Sequence, residues 1–385
     1  MRITWVTRSF LDYRIPVFAE LDRLCGGRLT VVFYRDVVPE RCIGKLREII
    51  GDRAVALTGE LRLTGKKSAP VSSLKRQGIR IPWQPGLLKA CRESRPEVLI
   101  SDGFFQWTYA ALLLRMFCRI PHVMCYEPTA HTERRAGFLR TCYRKIASLA
   151  IDAICCNGKL CKEYTMSLGI PERKISIGNM AADSENLSAL CSAVREEQVQ
   201  ALKQQFSLNG AVFLYVGRLV PLKGLMELLR AWRIHSLPAT LLLVGGGPER
   251  EKLETFCREN GIKNVVFAGE RDYDSQPVFY AAADVFIIPT LQDNWSLVVP
   301  EAMACGLPVA CSIYNGCHPE LVHPENGWTF DPLDTGAAAD MLKTVMARKD
   351  DLKKMGEESR KIIRDHTPQK AAENIYNTCR KVTAG

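Results

Sequence analysis

The sequence predicts an α/β chain of two domains, each built on a parallel sheet, and three observations carry that prediction. A chain of 385 residues with 47% apolar content exceeds one ordinary core and suffices for two. Short apolar, β-branched runs recur at 29–34, 122–126, 212–216, 240–244 and 285–288, each the length of a buried strand. Each run empties into polar residues, Gly or Pro, and several of these loops lead into helical stretches, as in repeated βα units.

In the first half, strands are expected at 2–7, 29–34, 98–101, 122–126, 150–155 and 175–177, with helices at 16–24, 107–117 and 132–146. Residues 36–82 are rich in Arg and Lys and weakly periodic, which reads as a mobile surface segment. In the second half, a polar helix at 193–206 links the domains. Strands follow at 212–216, 240–244, 265–270, 285–288 and 309–313, a short helix at 274–281, and closing helices at 340–347, 352–363 and 368–382. Between the strands at 285–288 and 309–313 a helix is expected to start among Asn294, Trp295 and Ser296, where the short polar side chains of Asn294 and Ser296 suit a cap, and to stop at Gly306 and Pro308. A strand feeding a loop and then a helix start is a ready anion site. Asp293 and Glu301 flank that helix with seven residues between them.

No apolar run reaches the roughly 20 residues of a transmembrane helix, and the start of the chain reads as a strand rather than a signal peptide, so a cytoplasmic protein is expected. Fifteen cysteines, many inside apolar runs and none in a C-x-x-C pair, read as reduced core residues rather than a metal cluster. Charge is uneven: residues 1–190 hold 30 Lys and Arg against 18 Asp and Glu, a net +12 within a chain of net +10. The basic half therefore expects an anionic partner such as a membrane surface, a pyrophosphate or a polyanion. Basic residues from Arg134 to Lys145 stand beside Phe138, Leu139, Tyr143 and Ile146 at helical spacing. That pattern fits a helix lying on an anionic bilayer or, equally, one packed on its sheet with a solvated basic back.

The element from Asp293 to Glu301 resembles the Glu-x7-Glu signature of the retaining glycosyltransferases of family 4, with Asp293 in place of the first Glu. The segment Gly217-Arg218-Leu219-Val220-Pro221-Leu222-Lys223-Gly224 is similar to the family's G-R-L...K-G stretch, about 70 residues upstream in the same domain. The turns Asn315-Gly316-Cys317-His318-Pro319-Glu320 and Asn326-Gly327 also resemble the family's. The likeness is detailed from about residue 212 to 330 and general before that. It implies the GT-B fold: two Rossmann-like domains with parallel sheets facing a central cleft, residues 1–187 for the acceptor, 188–367 for the nucleotide sugar, and a last helix at 368–385 crossing back.

By resemblance, Arg218 and Lys223 clamp the donor diphosphate and Asp293 lies near the donor sugar. Glu301 takes the ribose hydroxyls, and the backbone of Asn294, Trp295, Ser296 and Leu297 holds the distal phosphate. Gly246 lies where glycines let backbone approach a ligand, and Glu270 lies in a loop that meets the base. A leaving diphosphate needs such cations to neutralise its developing charge. At the carboxyl end of the strand 122–126, either Glu127 or His131 fills the place of a family His beside the reacting carbon. In the first loop, without the family's Gly-Gly, Arg8 and Arg14 either contact phosphate by side chain or are simply exposed.

The resemblance implies retaining transfer of a hexose from a nucleotide-diphosphate sugar to a hydroxyl, with no cofactor beyond the donor and no divalent metal. The expected partners are the nucleotide sugar, a glycan or lipid-linked acceptor of cell-envelope, O-antigen or exopolysaccharide type, and an anionic membrane surface met by the basic N-terminal domain at the inner face; nucleic acid is not among them. Two alternatives stay open: a non-hydrolysing sugar-nucleotide epimerase of the same fold, and a catalytically impaired carbohydrate- or membrane-binding member, suggested by Asp293.

Overall fold

The computed structural model describes residues 1–62, 82–104 and 107–384. These form two compact units, one of the described residues in 1–182 and 366–384, the other of residues 183–365.

Unit one contains the strands β1 (Ile3–Val6), β2 (Leu29–Tyr34), β3 (Ala54–Leu57), β4 (Leu61–Arg62), β5 (Pro82–Trp83), β6 (Val98–Asp102), β7 (His122–Tyr126), β8 (Ala153–Cys156) and β9 (Ile175–Ile177). Seven of them form one sheet in the order β3-β2-β1-β6-β7-β8-β9, all neighbours parallel, while β4 and β5 pair antiparallel beside it. β1, β2 and β7 are buried throughout, which is why they read as unbroken apolar runs rather than alternating ones. On one face Trp5, Phe33, Ile100 and Val123 pack in a core with Phe18 and Leu21 of helix Ile15–Leu24 and Ile375 and Cys379 of helix Pro368–Thr383. The far C-terminus thus closes the core that the N-terminus opens. On the other face Val6, Val32 and Leu99 meet Trp107 and Leu114, and Met124 and Ile154 meet Ala147 and Cys161.

Unit two contains β10 (Ala211–Val216), β11 (Ala239–Val244), β12 (Val265–Gly269), β13 (Val285–Ile288), β14 (Val309–Ser312) and β15 (Gly327–Phe330). They form one parallel sheet in the order β12-β11-β10-β13-β14-β15. The order reverses between β10 and β13, so the loops leaving these two strands diverge around the crevice where ligands of open α/β sheets collect. The predicted α/β class with two Rossmann-like parallel sheets is what the chain adopts.

Three expectations need correction. Part of the segment read as mobile, 36–82, is ordered core: helix Glu40–Ile50 buries Cys42, Ile43, Leu46 and Ile50, and β3 forms the sheet edge; its Gly65-Lys66-Lys67 and Lys75-Arg76-Gln77-Gly78 motifs lie outside the described residues. The helix expected to start among Asn294, Trp295 and Ser296 is Val298–Ala304, with Leu297 before it and no side-chain cap. The helix expected at 132–146 runs from Phe138 to Ala147, because Thr129 and Thr132 close a local turn first, the Thr132 hydroxyl lying 3.1 Å from the Thr129 carbonyl. All fifteen cysteines are free and thirteen are buried, as core residues should be. No helix among the described residues is long and apolar enough to cross a membrane.

Candidate active site

The loop after β10 turns at Pro221–Lys223 and enters helix Leu225–Trp232 through Gly224, at φ +66°. A Cβ there would stand 2.0 Å from the Pro289 carbonyl oxygen, so only glycine lets this loop lie against the one leaving β13. The two loops are then laced: the Leu291 amide donates to the Leu222 carbonyl at 2.8 Å and the Thr290 hydroxyl to the same oxygen at 3.0 Å. A similar approach joins the loops of β10 and β11, where a Cβ on Gly245 would sit 1.9 Å from the Gly217 carbonyl. The Leu219 amide donates to Gly246 at 2.8 Å.

This lacing brings Lys223 to Asp293. The ammonium lies 2.5 Å from Asp293 Oδ2, with both side chains largely buried. The Ser296 hydroxyl donates to the same oxygen at 2.5 Å, and the Trp295 amide donates to Oδ1 at 3.2 Å. The short Asp293 side chain therefore folds back onto its own loop.

The loop after β14 completes the arrangement. Asp293 and Asn315 form a parallel bridge, with the Gly316 amide donating to the Asp293 carbonyl at 3.0 Å. Buried Asn315 accepts the Ser296 amide through Oδ1 at 3.3 Å. Among the described residues its Nδ2 has no partner, and neither has the buried Oδ1 of Asn294. Orphaned buried polar atoms are uncommon in folded proteins, and two of them here fit a site completed by a ligand's donors and acceptors.

Glu301 sits in the first turn of helix Val298–Ala304. Burial pushes its carboxyl up to about 7; a hydrogen bond from the buried Tyr280 hydroxyl at 3.1 Å opposes that rise, and the charge of Asp183 adds to it. Arg218 is exposed, and its carbonyl accepts the Tyr215 hydroxyl at 2.9 Å. Glu270 is exposed beside Gly246, where a Cβ would come within 3.3 Å of its Oε2. Trp295 is buried and Leu297 half-buried. Among these residues the structure joins Lys223, Asp293, Trp295 and Ser296 directly and brings Gly246 close to Glu270. A cavity of about 400 Å³ between Leu202, Phe206, Arg271 and Phe279 has none of them in its lining.

Glu127 and His131 belong to unit one. Glu127 follows β7 and lies 3.8 Å from the Arg14 guanidinium; the His131 carbonyl accepts Arg134 Nη1 at 2.5 Å. Neither first-loop arginine is simply exposed. Arg14 is buried, donates to the Asn179 carbonyl at 2.7 Å and stacks over Trp5. Arg8 makes a two-pronged pair with buried Glu60, both bonds 2.8 Å.

Sequence reasoning missed Asn315 and Tyr280 as site residues. For Asn315 the Asn-Gly turn after a strand was a usable signal; for Tyr280, in a short helix 21 residues from its partner, there was none.

The sequence profile of Glycosyl transferases group 1 matches residues 197–362, and that of Glycosyltransferase Family 4 matches residues 47–183. The sulfoquinovosyl transferase SQD2 of Arabidopsis thaliana is 22% identical over 94% of this chain and 69% of its own length. A D-inositol 3-phosphate glycosyltransferase of Corynebacterium urealyticum is 30% identical over 54% of this chain and 49% of its own. Among solved structures, Anabaena Alr3699/HepE in complex with UDP matches 99% of this chain and 100% of that one with a TM-score of 0.77 at 17% identity; the same protein has been solved with UDP-glucose. The chain belongs to glycosyltransferase family 4, with the GT-B fold, and is a glycosyltransferase.

Proposed function

We propose that this glycosyltransferase moves a hexose from a nucleotide-diphosphate sugar to a hydroxyl with retention at the anomeric carbon, and that the acceptor is a lipid-linked or cell-envelope glycan met at the inner face of a membrane. The observation that carries the donor half is the meeting of Lys223, Asp293 and Ser296 where the sheet order of unit two reverses. In this reading Lys223 and Arg218 neutralise the diphosphate, the amides from Asn294 to Leu297 hold its distal phosphate, and Glu301 takes the ribose. Gly246 and Glu270 border the sugar and base ends, and Asp293 orients Lys223 beside the donor sugar. These groups perform the charge work without a divalent ion.

The anomeric carbon–oxygen bond to the diphosphate breaks as the acceptor oxygen bonds to the same face of that carbon. The acceptor proton passes to the departing diphosphate oxygen, so no side chain is needed as a nucleophile. In this reading Glu127 or His131, after β7, is the candidate group to stabilise the positive charge at that carbon. The complexes of the Anabaena protein with UDP and UDP-glucose favour a uridine donor. One observation supports the impaired-member reading: Asp293 is engaged by three groups of its own chain.

The experiment is a thermal-shift screen of uridine-, guanosine- and adenosine-diphosphate sugars, followed by transfer assays with the sugar that stabilises and proton NMR of the product. An anomeric configuration equal to the donor's supports retention; an inverted product overturns it. Nucleotide binding without transfer to a panel of lipid-linked and free glycan acceptors selects the impaired reading.

A further inference from the structure

Helix Phe138–Ala147 is built the wrong way round for a helix that packs on a sheet. Its buried residues are Arg144 and Ala147, while Phe138, Leu139 and Ile146, with Leu149 in the following turn, expose 80, 72, 69 and 82% of their surface. Positions 138, 142, 146 and 149 fall on one helical stripe, of which Cys142 is half-buried and the other three face solvent. Arg144 fixes the orientation: its guanidinium lies 2.6 Å from Glu133 and donates to the Tyr164 hydroxyl at 2.7 Å, so turning the apolar stripe inward would break a buried ion pair. The turn Ser148–Ala150 packs against helix Thr108–Cys118, whose last turn also exposes Met116 and Phe117.

Every exposed charge along this stretch is positive. Between Glu133 and Asp152 the sequence holds no carboxylate, whereas Arg134, Arg135 and Lys145 are exposed, as is Arg119 after the neighbouring helix. The bounding acids are themselves neutralised, Glu133 by Arg140 and Arg144 and Asp152 by Arg115. Large apolar side chains ringed by cations suit an interface that is apolar below and anionic at its surface. A soluble acidic protein would match the ring and leave the stripe's depth unused.

We propose that this face of unit one is a docking surface for an anionic phospholipid bilayer, with Phe138, Leu139, Ile146 and Leu149 entering the headgroup boundary and Lys145, Arg135 and Arg119 meeting lipid phosphates. The proposal deepens, and rests on, the reading of a membrane-borne acceptor; its residues belong to unit one and the donor loops to unit two.

The test is sedimentation of the full chain with vesicles of phosphatidylcholine alone and of phosphatidylcholine mixed with phosphatidylglycerol. The chain pellets with the mixed vesicles at low salt, and less as salt rises. Leu139→Ser combined with Ile146→Ser raises the lipid needed for half-pelleting by about tenfold or more at an unchanged melting temperature, while Leu333→Ser, exposed in unit two, changes nothing. Absence of pelleting with mixed vesicles at low salt overturns the proposal. So does insensitivity to the double substitution, and so does a dimer lost in that variant without vesicle binding, which assigns the face to a second copy. Titration of the same preparation with UDP-glucose separates the two readings: binding without pelleting removes the surface alone, and pelleting without binding removes the uridine-donor reading alone.

Discussion

The Lys223 ammonium and the Asp293 carboxylate form an ion pair of 2.5 Å although 70 residues separate them. The pair exists because two consecutive constraints leave it no alternative: Gly224 lets the loops touch, and Leu222 accepts two hydrogen bonds from the loop that carries Asp293. It also means that the cation assigned to the donor diphosphate is held by a competing anion before any ligand arrives.

That competition makes Asp293→Asn informative. The variant keeps a short side chain whose one oxygen can still accept from the Trp295 amide, turns an uncharged NH2 toward Ser296, and loses the charge that holds Lys223. Affinity for UDP is expected to rise several-fold, because the ammonium is no longer shared, while transfer falls by about tenfold or more as the lysine loses its orientation. Calorimetry and initial rates on one preparation check both; a fall in UDP affinity contradicts the competition.

If Glu301 takes the ribose as proposed, donor binding is expected to depend on pH. Its carboxyl is raised to about 7 by burial, and ribose hydroxyls bind the ionised form best. Affinity for UDP-glucose, whose diphosphate does not itself titrate there, is therefore expected to rise from pH 6 to 8, with up to one proton released. Calorimetry in buffers of different ionisation enthalpy reads that proton. Stability runs the other way: the folded form holds the proton to higher pH than the unfolded form, so Glu301 costs stability as pH rises from about 4.5 to about 7. Glu301→Gln is expected to melt above the wild type at pH 8, with the gap closing by pH 5.

Tyr280 is expected to tune that midpoint. Its hydroxyl favours the Glu301 carboxylate, so Tyr280→Phe moves the pH dependence of UDP-glucose binding upward while leaving affinity at pH 8.5 within a few-fold of the wild type. An unshifted midpoint would show that the bond does not matter to the titration.

His122 is expected to contribute to the acid sensitivity of unit one. Buried beside Ser101, its Nε2 2.8 Å from that hydroxyl, it is lowered to about 4 by burial, against about 6.5 in an unfolded chain. The unfolded form takes the proton first, so stability is lost as pH falls from about 6.5 to about 4. Replacing His122 with Gln should flatten the melting temperature over this range whatever it does to the absolute value.

What the sequence revealed follows from which forces act locally. β2, β7, β13 and helix Leu352–Ile363 have the bounds read from pattern alone, because largely apolar runs and marked amphipathicity are local signals. Helix Glu40–Ile50 was hidden by Arg41, Lys45, Arg47 and Glu48, which outweigh its four buried positions in a composition reading. The start of helix Val298–Ala304 was set elsewhere: Asn315, on the next loop, takes the Ser296 amide and holds that residue outside the helix. The motif residues of unit two were legible as a constellation, but the closure of Lys223 on Asp293 was not, since it depends on two backbone approaches that only the fold creates.

The most direct test of the account is titration of wild type and Lys223→Ala with UDP-glucose. Loss of the ammonium is expected to weaken binding by about tenfold or more, on the order of 1.4 kcal/mol, with the melting temperature of the free protein little changed. Equal affinities in a folded variant would contradict the claim that the loop after β10 holds the donor diphosphate.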